Sequence, residues 1–124
     1  MTQEVYVNKE IMPLLLKAKY PLRKVIKQDF RPVYYTKDFN DEGWQDCDAY
    51  YIPTQAQVMK WLREEHKCYM HICPFYPKSK YNEPPKWIAA VDYDGDGYPV
   101  LNEKFNTYEE ACDGIITYCL NNLI

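Results

Sequence analysis

Several things that this chain of 124 residues does not have narrow its reading first. It carries no excess of positive charge: 15 Lys and Arg stand against 18 Asp and Glu, for a net charge of −3. Electrostatics therefore gives no reason to expect nucleic acid or an anionic membrane as a partner. Long apolar runs are also missing. The longest aliphatic piece near the N-terminus is Leu14 to Leu16, far short of the roughly 20 residues that cross a bilayer, and MTQEVYVNKE has no basic stretch leading into an apolar one. The expectation is no membrane span and a cytoplasmic location. The five cysteines are odd in number and irregularly spaced, which points to reduced thiols packed inside and not to a disulfide framework. No catalytic constellation, cofactor fingerprint, internal repeat or low-complexity tract stands out, so neither an enzyme nor a cofactor is expected.

What is present is an ordinary globular composition, 47% hydrophobic and 27% charged, suited to one domain over 1–124. Tyrosine is abundant at 13 residues; its apolar body and polar tip suit binding surfaces, although half-buried strands use it as well. The clearest stretch runs from Pro53 to Pro74. Thr54 and Gln57 have capping-box spacing, and Val58, Met59, Leu62 and His66 then form a helical stripe, with Lys60, Arg63, Glu64 and Lys67 mostly opposite. At Lys67 the period changes. Cys68, Met70 and Ile72 alternate with Tyr69, His71 and Cys73 as the two faces of a strand, which Pro74 should end.

Upstream, Ile11, Leu14, Leu15 and Ala18 predict a short helix over about Asn8 to Lys19, with Pro13 in its first turn. The stretch Leu22 to Lys37 is basic and then aromatic: Arg23, Lys24, Lys27 and Arg31 precede Val33, Tyr34 and Tyr35. It reads as a solvated linker into a strand, with a phosphate-binding patch as the sharper alternative. Asp38 to Asp46 is an acidic turn-rich loop, after which Asp48 to Ile52 should pair with Val33 to Thr36 as a hairpin. Downstream, Tyr76 to Lys86 is an exposed loop, Trp87 to Tyr93 a strand with Trp87, Ala89, Val91 and Tyr93 on one face, and Tyr98 to Phe105 its return after the turn at Asp94 to Gly97. Thr107 and Glu110 open a last, broadly apolar helix. The predicted fold is α+β: residues 53–124 form an α-β-β-β-α core, a three-stranded antiparallel sheet with helices on one face, and residues 1–52 add the N-terminal helix and a short aromatic hairpin.

Two sets of residues have the types needed for metal chemistry. Asp92 to Glu103 satisfies the spacing of a calcium loop: Asp92, Asp94 and Asp96 offer hard oxygens, Gly97 the sharp turn, Tyr98 a carbonyl and Glu103 a bidentate carboxylate. A polar hairpin turn is the plainer reading, because Pro99 has no amide for a partner loop, no second loop exists and the flanks read as a strand and a late-capped helix. His66, Cys68, His71 and Cys73 have zinc-ligand chemistry, but on a strand Cys68 faces away from His71 and Cys73. His71 and Cys73 share a face as a nucleophile pair would, yet no orienting group or oxyanion donor can be identified for them. Lys78, Lys80 and Lys86, interleaved with Tyr76, Tyr81 and Trp87, form the basic-aromatic set that a nucleic-acid binder would use.

The order α-β-β-β-α resembles the double-stranded RNA-binding domain in topology over the C-terminal half. That family opens its last helix with a lysine cluster. This chain has Tyr108, Glu109, Glu110 and Asp113 there, carboxylates that would repel RNA. Pro53-Thr54-Gln55, Trp61-Leu62-Arg63-Glu64, Thr107-Tyr108-Glu109-Glu110-Ala111 and the final Leu123-Ile124 resemble a group of short proteins from gut Bacteroidetes and their phages. That resemblance covers about the last 70 residues and implies a compact α+β protein of mobile-element type, with no activity to carry over. The expected function is a small non-enzymatic binding or accessory protein, with a protein partner or self-association through a surface including Tyr76, Lys78, Lys80 and Tyr81. A calcium-binding protein using Asp92 to Glu103 and a nucleic-acid-binding module using Lys78 to Lys86 are the alternatives.

Overall fold

The computed structural model describes residues 5–27, 29–36, 48–75, 85–93, 96–97 and 104–124, with backbone alone for 96–97. It is an α+β protein. At the N-terminus the expected helix is divided. The Asn8 side chain accepts from the Glu10 amide and caps a 3-10 turn, Lys9–Ile11, which passes into α1, Met12–Lys17. Pro13 sits in the first turn of α1, where an amide would have no helical partner. The helix closes on Lys19 at φ 62°, with Lys19 N donating to Leu16 O and Tyr20 N to Leu15 O. This is the paired-bond geometry of a left-handed helix stop, filled here by lysine and not glycine.

β1, Val33–Tyr35, and β2, Ala49–Tyr51, form the expected aromatic hairpin, with Tyr34 opposite Tyr50. The basic stretch before it is not a free linker. Tyr51 N donates to Arg23 O at 2.9 Å and Val25 N to Ala49 O at 3.0 Å, so residues 23–25 line the other edge of β2. Backbone donors on β2 need partners on both sides, and this segment supplies them on one.

α2, Gln55–His66, carries the full capping box: Gln57 N donates to Thr54 Oγ1 at 3.1 Å and Thr54 N to Gln57 Oε1 at 2.9 Å. Lys67, at φ 55°, turns the chain within one residue into β3, Cys68–Phe75. β3 runs one residue beyond Pro74, which an edge strand can hold because a missing amide there breaks no ladder bond. β4, Lys86–Tyr93, pairs antiparallel with it, Cys68 opposite Tyr93 and Phe75 opposite Lys86. Cys68, Ala89 and Val91 are buried on the inner face, whereas Tyr69, His71 and Cys73 point outward and are exposed, as the alternation predicted. Cys73 is thus an exception to interior packing of the thiols; Cys68, Cys112 and Cys119 obey it, and Cys47 lies outside the described residues.

The expected regular three-stranded sheet is not what the described residues form; their ladders of any length are the pairs β1–β2 and β3–β4. β5, Asp96–Gly97, pairs with Tyr93 and Asp92 only, and Phe105 exchanges two backbone bonds with Trp87 at 2.7 and 2.8 Å. From Gly97 to Phe105 the chain takes eight steps while β4 takes five from Asp92 to Trp87, so the two pairings do not share one register.

α3, Tyr108–Asn122, buries Ala111, Cys112, Ile115, Ile116, Cys119 and Leu120. Its cap differs from the expected box: Thr107 Oγ1 accepts from Glu110 N, but the Glu110 carboxylate accepts from Asn106 N and not from Thr107. One buried cluster joins Ile11, Met12 and Leu15 to Val58, Leu62, Val91, Ile115 and Ile116, so the N-terminal helix is part of the same core. A polar junction ties these layers together. Buried Gln55 donates to Glu109 O at 2.8 Å and to Asp113 Oδ1 at 3.1 Å, and that same oxygen accepts from Asn8 N at 3.4 Å.

Two outcomes follow from this packing. Gly114 lies under the Phe105 ring, where an added Cβ would come within 2.6 Å of Cε1, so Gly114→Ala should cost about 1–3 kcal/mol in urea unfolding, and Phe105→Leu in the same chain should recover part of it. Burial raises the Asp113 carboxyl above its ordinary 3.8 despite the opposing bonds from Gln55 and Asn8. Its contribution to stability is then fullest below pH 3.8 and is lost as pH rises through the raised value. Asp113→Asn should therefore gain stability relative to the native chain as pH rises from about 3 to about 7; a variant that loses more at pH 7 than at pH 3 would contradict this.

Candidate functional site

The sequence places its candidate residues mostly outside the described region. Tyr76, Lys78, Lys80, Tyr81, Asp94, Tyr98 and Glu103 all lie there. Asp92 is described: it ends the outer face of β4, opposite Gly97, while Asp96 is opposite Tyr93. Partners in an antiparallel ladder share a face, so Asp92 and Asp96 hold positions of opposite faces on the two sides of a turn and not successive positions of a loop between helices. The Asp92 Oδ1 atom is buried and has no hydrogen-bond partner among the described residues. Among the described residues no group of three or more His, Cys, Asp and Glu side chains comes together as a metal site would require.

His71 and Cys73 are on one exposed face, with Ala90 and Ile88 as their cross-strand partners, neither of which can orient an imidazole. Cys68 is buried on the other face, its thiol directed to His66 O at 3.7 Å. Burial pushes the Cys112 thiol up to about 11 and Cys119 higher still, which keeps both protonated and poor as nucleophiles. Lys86 reaches the side-chain oxygen of Asn106, across the β4 to α3 connection.

A different concavity is formed by the described residues. It measures about 430 Å³, and Tyr6, Tyr20, Arg23, Arg31, Tyr51 and Thr54 are among the residues that line it. Each wall has a local cause. The left-handed stop at Lys19 sends Tyr20 across α2, where its ring meets Trp61 edge-on at 5.0 Å, and Trp61 in turn meets His66 at 4.6 Å. Pairing with β2 fixes Arg23. Tyr6 bridges to Thr54, flanked by bonds from Val7 N to Pro53 O and Gln55 N to Val5 O.

Arg31 is held most tightly. Its amide donates to Asp29 Oδ1 at 2.9 Å, its Nε and Nη2 donate to Oδ2 at 2.8 and 2.6 Å, and its guanidinium carbon stands 3.8 Å over the Tyr51 ring. Tyr51 is anchored by its hydroxyl, which donates to Lys27 O at 2.7 Å. The ion pair is half exposed, so it contributes little to stability; its effect is to set the direction of the guanidinium. A second hollow of about 380 Å³ shares Arg23, Arg31 and Tyr51 and adds Lys24, Ile26 and Lys27. Among the described residues neither Arg23 nor Lys27 has an ion-pair partner, whereas Lys24 lies 3.6 Å from Asp48.

Sequence reading marked Arg23, Lys24, Lys27 and Arg31 as a possible anion patch but set them in a linker, and it missed Tyr6, Tyr20 and Tyr51 as walls. The available signal was that Tyr20 precedes these cations and Tyr34 and Tyr35 follow them. Among the described residues no helix is long and apolar enough to cross a membrane. No family model matches this chain, and neither the curated proteins nor the solved structures contain a match to it.

The arginine clamp can be checked directly. Hydrogen bonding from Arg31 holds the Asp29 carboxyl below its ordinary 3.8, so an NMR titration should find it still ionised where other exposed aspartates protonate. Arg31→Gln should return Asp29 to the ordinary range; no change on that substitution would show the clamp to be absent in solution.

Proposed function

We propose that this is a small non-enzymatic binding protein that takes an acidic group next to an apolar one into the groove between Tyr20 and Tyr51. The observation that carries this reading is Arg31, clamped by Asp29 and laid over Tyr51 at the groove mouth. A guanidinium already fixed in direction loses little freedom on meeting a carboxylate, and aromatic walls beside it supply contact area at low entropic cost. The buried thiols with raised pKa values support a binding role over a catalytic one.

The test uses phenylacetate as a probe, with phenylacetamide as its neutral counterpart, followed by amide shifts of the labelled protein. Phenylacetate should move Arg23, Arg31, Tyr51 and Ile52, and Arg31→Ala should weaken it about tenfold. Equal response to the neutral amide, or shifts clustered elsewhere, would discard the reading.

A calcium-binding role has one observation in its favour, the buried and unpartnered Asp92 Oδ1, an orphan oxygen of the kind a bound cation would satisfy. If a cation is held there, calcium raises the melting temperature of the native chain and not of Asp92→Asn. The lack of any calcium heat or thermal shift in the native chain removes this role.

A further inference from the structure

We infer that the strip from Arg23 to Arg31 docks an acidic protein segment that carries apolar side chains, gripped by Ile26 and Phe30. This rests on the groove reading, since the strip and the groove share Arg23 and Arg31, but it turns on different side chains. Ile26 is 95% exposed and Phe30 fully so, two large apolar groups presented to solvent four residues apart. Scattered single hydrophobics need no explanation, whereas a pair flanking a formed cation surface is the composition of an interface.

The strip is held from both ends, so these side chains stand on a scaffold. Arg23 O and Val25 N bond to β2, Lys27 O accepts from the Tyr51 hydroxyl, Arg31 is clamped by Asp29, and Pro32 O accepts from Ile52 N at 3.0 Å. Each apolar group borders a hollow. Ile26, with Arg23, Lys24, Lys27 and Arg31, borders the one of about 380 Å³; Phe30, with Val25, Asp29, Val33 and Tyr35, borders another of about 430 Å³. A cation-lined hollow next to a mainly apolar one matches a segment that carries carboxylates beside apolar side chains.

Charge selects the sign of the partner. Arg23, Lys24, Lys27 and Arg31 face it from the strip itself, and among the described residues the acids that meet them are Asp29, committed to Arg31, and Asp48 on the approach to β2, 3.6 Å from Lys24. Among the described residues the strip is thus locally positive, on a chain of net charge −3. Steering by such a patch favours an acidic partner. A protein segment fits better than a membrane surface because the two apolar groups border hollows that side chains can enter and a flat bilayer would not fill.

The experiment measures fluorescence anisotropy of the full chain with a short labelled peptide of alternating glutamate and leucine. A glutamate and serine peptide of equal charge and a lysine and leucine peptide serve as controls. The glutamate and leucine peptide should bind, the controls should bind about tenfold more weakly or not at all, and affinity should fall as salt rises. The double variant Ile26→Ser with Phe30→Ser, whose sites are exposed and so leave the fold intact by thermal melting, should lose about tenfold. Undiminished binding by that variant, no binding of the glutamate and leucine peptide, or preference for phosphatidylserine vesicles over it would overturn the inference. Phenylacetate shifts in the Tyr51 groove are expected to survive the double variant and to weaken about tenfold in Arg31→Ala, so the groove reading and this one can fail separately.

Discussion

Burial of the α3 stripe is the constraint on which the rest of the structure depends. Ile115, Ile116, Cys119 and Leu120 pack with Met12 and Leu15 from the N-terminal helix, Val58 and Leu62 from α2, and Val91 from β4. A helix that is apolar over so wide an arc has to be covered on several sides, and no single neighbour can do it. The N-terminal helix therefore belongs to the core by necessity and not as an appendage. Gly114 shows how close the approach is: the Phe105 ring takes the space that a side chain would fill.

Polar groups set the angles at which these layers meet. Gln55 and Asn8 converge on one oxygen of Asp113, so the start of α2, the N-terminal turn and α3 are fixed together at one point. A carboxylate drawn into that position is partly desolvated, which raises it, and the two donors are what make its burial tolerable. Left-handed lysines complete the geometry. Lys19 and Lys67 each end a helix abruptly, the first aiming Tyr20 across α2 and the second starting β3 beneath it. The groove exists because the turn at Lys19 and the β2 edge bring Tyr20, Arg23 and Tyr51 to the same place.

Local chemistry was legible where it was short in range. The capping box at Thr54, the change of period at Lys67 and the alternation of Cys68, Met70 and Ile72 with Tyr69, His71 and Cys73 depend only on residues within a few positions of one another, and all three are present. The aromatic hairpin pairs in the expected register region as well. The regular third strand was not so legible, because two pairings with the same partner can each be favourable while their registers disagree. Residues 23–25 were read as linker since their charges suit solvent; the bonds they make to β2 go through backbone, which carries no signature in side-chain type. The candidate site was the least legible part, for its walls come from positions 6, 20, 23, 31 and 51, which no local pattern connects.

By itself, then, the sequence determined the elements and their faces: which residues start α2 and α3, which side of β3 is buried, and where a cation-rich, tyrosine-rich composition is concentrated. Those follow from caps, periodicity and burial preference, which act over a turn or two of chain. Only the tertiary structure decided that Arg31 lies over Tyr51, that Asp113 serves two distant donors, and that Ile26 and Phe30 remain in solvent beside a formed surface. Each of these is a long-range contact or the lack of one, set by how the helices close over the sheet and not by the residues next to it in the chain.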